Sequence, residues 1–187
     1  MTSAEARPLA AIDVASPCIS WKRICPDAQR LARDAARAAL VDGIAAAGFA
    51  SPMRVELGIT LTDDAQQMYL NRRYRGQDAS TNVLAFRAWE AGIQAPPGAP
   101  LLLGDVVLAF ETVAREADQQ LKPFCHHVRH LIVHGVLHLL GCDHRSKADA
   151  ITMERLETSI LAKLGIPDPY QDISSPIEPE HVFHERP

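Results

Sequence analysis

The stretch FCHHVRHLIVHGVLHLLGCDH, residues 124–144, holds six of the chain's eight histidines among closely spaced Val, Leu and Ile. Its aliphatic residues, from Val128 through Leu140, make a helix apolar over most of its circumference, the character of a helix at the centre of its domain. His126, His130, His134 and His138 recur at every fourth residue and share one face, because a helix advances about 3.6 residues per turn. Gly141 is expected to end the helix, since glycine takes the left-handed conformation that turns a chain back. That turn can return His144 toward the first two imidazoles. Three neutral imidazoles with a fourth position open are what a catalytic divalent metal, usually zinc, requires.

Periodicity alone does not choose the ligating pair. His134 and His138 are preferred because they are followed at the right distance by a glycine and a third histidine. The result, H-x3-H-x2-G-x2-H, has the ligand spacing of the zinc metallopeptidase pattern H-E-x-x-H-x-x-G-x-x-H. His130 is then expected behind the ligands or in packing, and His126 and His127 at the surface or in a loop. In the peptidase pattern a glutamate follows the first histidine and acts as general base. Here that position is Gly135. Peptide hydrolysis loses its base, leaving a metal site that polarises a substrate oxygen or activates water. Asp143 either orients a ligand imidazole and assists proton transfer or simply seats the turn. Cys142 is read as a small packing residue.

Outward from this helix, the chain alternates helical and strand patterns. Residues 1–8 read as a loose tail and 9–14 as a short strand. Asp27 is placed to cap a helix over 28–47, where alanines and leucines supply an apolar face. Residues 54–61 alternate Val55, Leu57, Ile59 and Leu61 with Arg54, Glu56, Gly58 and Thr60, a half-buried strand. Thr62 or Asp63 caps a helix from 64 to about 74, and residues 82–86 form a short strand. Three prolines and two glycines make 88–100 a loop. Another strand spans 101–110 around Gly104 and Asp105, and a helix follows over 111–120. Ser146 caps a last helix ending near Leu164. The expectation is an α+β domain over 9–170, a small mixed sheet flanked by helices, with 171–187 a disordered tail.

The 187 residues are 47% apolar and 22% charged, ordinary for a globular domain with a real core. No run approaches the roughly 18–20 apolar residues of a membrane span. The N-terminus lacks the basic-then-apolar plan of a secretory signal. Four cysteines without CxxC spacing argue against a disulfide scaffold, so a reducing cytoplasm is expected. A formal charge of −4 counts against broad nucleic-acid binding, yet Arg72, Arg73, Arg75 and Arg87 concentrate positive charge in one segment. Tyr74 and Trp89 are read as packing residues before base contacts.

Several segments together resemble one family. HGVLHLLGCDH (134–144) is similar to the H-G-x-L-H-L-x-G-x-D-H signature of the YbeY endoribonucleases, and all eight of its fixed positions are met. NRRYRGQDASTNVLAF (71–86) resembles the family's N-x-x-Y-R-x-x-D-x-x-T-N-V-L-[SA]-F block. LLGDVVL (102–108) and MERLETSILAKLGIPDPY (153–170) resemble two further family segments. The likeness covers about 54–170, more weakly the strand and helix before it. One departure is Arg87, where S-F-P is the commoner ending of the block; it alters the rim of the cleft.

The resemblance implies a metal-dependent endoribonuclease acting on single-stranded RNA, with roles in 16S rRNA maturation and small-subunit quality control. It implies one zinc ion per chain on His134, His138 and His144, and a functional arginine at Arg75. A guanidinium suits that role, because it meets phosphate oxygens with two parallel hydrogen bonds. Arg72 and Arg73 are weaker candidates for backbone contacts. The competing reading is a ribosome-assembly factor whose metal is chiefly structural, which needs a fourth protein ligand such as Cys142. A metallopeptidase is the remote alternative, against which Gly135 stands.

Overall fold

A computed structural model of the chain describes residues 9–49, 54–90, 99–142 and 146–171. The expected tail at 1–8, all but the first residue of that at 171–187, most of the loop at 88–100, and both Asp143 and His144 lie outside the described residues.

Four strands, β1 (Leu9–Ala15), β2 (Arg54–Thr62), β3 (Val83–Arg87) and β4 (Leu101–Ala109), form one sheet in the order β1-β2-β4-β3. The pairs β1–β2 and β2–β4 are parallel, and β3 is antiparallel to β4. Parallel neighbours need long crossovers. The first is made by α1 (Ile19–Ile24) and α2 (Ala28–Ala46), and the second by α3 (Asp64–Arg75) followed by β3. Three helices complete the α+β fold: α4 (Phe110–Gln119), α5 (Phe124–Leu139) and α6 (Lys147–Lys163). Val55, Leu57, Ile59 and Leu61 are all buried, as their alternation requires.

The helix α5 lies against β3 and β4 and packs on α2, α4 and α6. Its aliphatic residues from Val128 to Leu140 are buried. Gly135 brings it down on the sheet: a Cβ built there would stand 2.7 Å from Val106 Cγ1 on β4. The glycine between the two candidate ligands is therefore a close-approach residue as well as a missing base.

Three local expectations change. Residues 18–25 carry a short helix, α1, anchored by Trp21, which is fully buried and donates from Nε1 to the Thr62 carbonyl at 2.8 Å. The Trp21 ring meets Phe110 and Phe124 at centroid distances of 5.4 and 5.6 Å. Asp27 stands at the start of α2 without capping it by side chain; its carboxylate pairs instead with Arg30 at 2.7 Å. His127, expected at the surface or in a loop, is buried in the first turn of α5, because α4 packs over that end. Its Nε2 lies 2.9 Å from Glu116 Oε2 on α4. Asp63 and Ser146 do cap α3 and α6, Ser146 in a reciprocal capping box with Asp149.

Candidate active site

The end of α5 is built by backbone hydrogen bonds. Gly141, at φ +91°, donates to the His138 carbonyl and Cys142 to that of Leu137, each at 3.0 Å, which closes a Schellman turn. One turn before this stop, His138 Nε2 lies 3.1 Å from His134 Nε2, with ring centroids 4.5 Å apart.

Glu157, wholly buried on α6, decides which nitrogen of His134 is turned toward His138. Its Oε1 is 2.7 Å from His134 Nδ1, while Oε2 accepts from the Tyr170 hydroxyl and lies 3.4 Å from His130 Nε2. Burial pushes the Glu157 carboxyl up, but hydrogen bonds from His130, His134 and Tyr170 outweigh it and hold the pKa down to about 2. An ionised carboxylate only accepts, so the His134 proton sits on Nδ1 and the Nε2 lone pair faces His138. Across 3.1 Å, that lone pair calls for a proton on His138 Nε2 or a cation shared by the two nitrogens. Their spacing suits ligands at roughly 2.0–2.1 Å from one shared ion. The donor set therefore fits a metal. Among the described residues no group of three potential donors assembles, and His144 lies outside them.

These imidazoles open into a cleft of about 460 Å³ whose polar walls are Arg75, Asn82, Arg87, His134 and His138. The residues found to line it include no carboxylate, and two arginines make it a receptor for anions. Arg75 arrives there as the last residue of α3, just before Gly76 at φ +68°. Arg72 turns to Asp78 at 3.9 Å, and Arg73 donates to Tyr69 Oη at 3.1 Å and stands over the Tyr74 ring. Of the arginine segment, Arg75 and Arg87 reach the cleft. Asn82 is fixed from behind: its Nδ2 donates to Glu116 at 2.9 Å and its Oδ1 accepts from the Val83 amide.

His130 shares Glu157 with His134. Cys142 lines a neighbouring cavity rather than the histidine cleft. Sequence reasoning missed Glu157. The available signal was a carboxylate on the apolar stripe of α6, among Met153, Ile160 and Leu161, all buried.

The family model described as Endoribonuclease YbeY matches residues 26–165, so the likeness takes in the whole of α2 and begins earlier than residue 54. A protein named Endoribonuclease YbeY from Paramagnetospirillum magneticum is 51% identical over 167 residues, covering 86% of this chain and 94% of that protein. The protein of the same name from Rhodospirillum rubrum is 48% identical over 83% of this chain and 79% of its own. Another, from Rhodopseudomonas palustris, is 50% identical over 71% of this chain and 79% of its own. With most of its length matched by the family model and about half of the aligned residues shared with such relatives, the chain belongs to the Endoribonuclease YbeY family.

Proposed function

We propose that this protein is a metal-dependent endoribonuclease that cleaves single-stranded RNA in the maturation of 16S rRNA precursors, working with the small ribosomal subunit in the cytoplasm. One zinc ion is held by His134, His138 and His144. The observation that carries the reading is the convergence of His134 and His138 Nε2, 3.1 Å apart, at the edge of a cleft that Arg75 also lines.

When bound, the metal supplies Lewis-acid chemistry, polarising a phosphate oxygen or lowering the pKa of water. The side chains do the rest. Glu157 keeps the His134 proton on Nδ1 and aims the Nε2 lone pair into the cleft. Arg75 clamps the scissile phosphate with paired hydrogen bonds that strengthen as negative charge accumulates on the non-bridging oxygens. Asp143, next to His144 in the chain, orients that imidazole or passes a proton. Gly135 offers no base beside His134, so the attacking group is either water or the substrate's own 2′-hydroxyl. A 2′,3′-cyclic phosphate on the product would identify the hydroxyl route.

The test is a ribonuclease assay on zinc-loaded protein beside His138→Ala and Arg75→Glu. Each substitution is expected to lower cleavage on the order of a hundredfold or more. Equal cleavage by all three proteins would assign the activity to a contaminant and end the proposal.

A further inference from the structure

The histidine cleft has a neighbour. A second cavity, about 540 Å³, opens on the far side of Arg87 and Gly141, the two residues found to line both. Its floor is apolar, made by Leu140 and Met153, both buried, and by half-buried Leu156. Asp149 and Thr152 stand in its wall.

The partition between the cavities is built rather than incidental. Arg87 is the last residue of β3, is exposed, and has its guanidinium carbon 5.2 Å from the centroid of the Trp89 ring. Trp89 is held in turn, donating from Nε1 to the Leu139 carbonyl at 2.8 Å and meeting the edge of Phe49 at 5.1 Å. Gly141 lets this stack close over the end of α5: a Cβ there would come within 3.3 Å of Arg87 Nη1 and 3.6 Å of Trp89. A guanidinium seated on an indole keeps its planar shape and its charge at little further cost in side-chain entropy.

On the reading that the cleft takes RNA, we infer that Arg87 on Trp89, with the cavity beyond it, forms a subsite for the nucleotide flanking the scissile phosphate. Charge sets the polarity of the subsite. The backbone phosphate belongs on the Arg87 side, where both cations of the cleft lie. The carboxylate of Asp149 repels phosphate from the far cavity but can accept from the amino edge of a base. A base offers apolar faces and polar edges, matching an apolar floor with Asp149 and Thr152 in the wall, and it stacks on a guanidinium plane as readily as on an aromatic ring.

The test compares two single-stranded hexamers, one ordinary RNA and one with every base removed, by fluorescence anisotropy in a His138→Ala background that leaves RNA intact. The base-bearing hexamer is expected to bind about tenfold more tightly than the bare backbone, the scale of one stacked base. Arg87→Ala is expected to weaken both hexamers and collapse that preference to about twofold or less. Arg87→Lys restores backbone binding through its charge, not the preference for bases. A base preference that survives Arg87→Ala, or is fully restored by Arg87→Lys, overturns the subsite. Because binding is read without turnover, its failure is distinct from an absence of cleavage by the zinc-loaded protein, which would sink the catalytic reading.

Discussion

The two ends of α5 carry the same type of residue and put it to opposite uses. At the N-terminal end His127 is sealed beneath α4, one nitrogen against Glu116 and the other, Nδ1, buried without a hydrogen-bond partner among the described residues. At the C-terminal end His134 and His138 are half-buried and converge on one another at the edge of a cationic cleft. Each end has its buried or half-buried carboxylate, Glu116 from α4 and Glu157 from α6. The difference lies in what the imidazole does with its second nitrogen. His127 is held at Nε2 with Nδ1 turned into the interior, whereas His134 is gripped at Nδ1 so that Nε2 faces His138 at the cleft. A histidine on a helix becomes a metal ligand through what its neighbours leave open, and spacing supplies only the face.

Removing the grip at the C-terminal end is the strongest way to break this contrast. Glu157→Gln keeps the shape of the side chain but lets its amide present N–H where His134 needs an acceptor. Loss of such a carboxylate behind a ligand imidazole lowers metal affinity roughly 10–100-fold. Zinc titration against a competing chelator would measure it, and unchanged affinity would mean that Glu157 is a packing residue alone. Chelator titration of His127→Gln is expected to match the parent protein.

The next effect concerns how α5 is seated. Gly135→Ala drives a methyl group into Val106, and overpacking of this kind costs about 1–3 kcal/mol. The penalty would appear as a lower urea midpoint in metal-free protein. A neutral result would mean that α5 can lift from β4 without loss, and Gly135 would then need another explanation.

Much of this arrangement was legible beforehand. Period-two alternation placed β2, polar residues before apolar runs marked the caps at Asp63 and Ser146, and the glycine at 141 announced the end of α5. Those signals are local. What escaped depends on partners distant in the chain. α1 is six residues long, and its Trp21 is buried only because Phe110 and Phe124 come to meet it. Asp27 looked like a cap, but Arg30 one turn on took its carboxylate. Glu157 drew no notice in the sequence, because the two imidazoles that offset its burial come from α5, more than twenty residues away. Among Arg72, Arg73 and Arg75, a rotation of one or two residues decides which faces the cleft, and composition cannot resolve that.

The smallest effect, and the one that separates the two ends most cleanly, is in pH. Burial lowers the His127 pKa below its ordinary 6.5, and the bond to Glu116 only partly opposes it. Charging the ring would also place a second N–H on the buried Nδ1, where no acceptor waits among the described residues. The unfolded chain therefore takes up this proton at higher pH than the folded one. The contribution of His127 is fully present above pH 6.5 and falls away as pH drops from there through the lowered folded value. Glu157 obeys the same sign in another window, present above its ordinary 4.5 and lost as pH falls toward about 2. Urea midpoints of metal-free protein between pH 8 and 5 should thus decline in the parent more steeply than in His127→Gln, which keeps a donor for Glu116 but cannot titrate. Parallel curves for the two proteins would show that the His127 ring takes up its proton as easily in the folded chain as in the unfolded one, and the sealed end of α5 would lose what sets it apart.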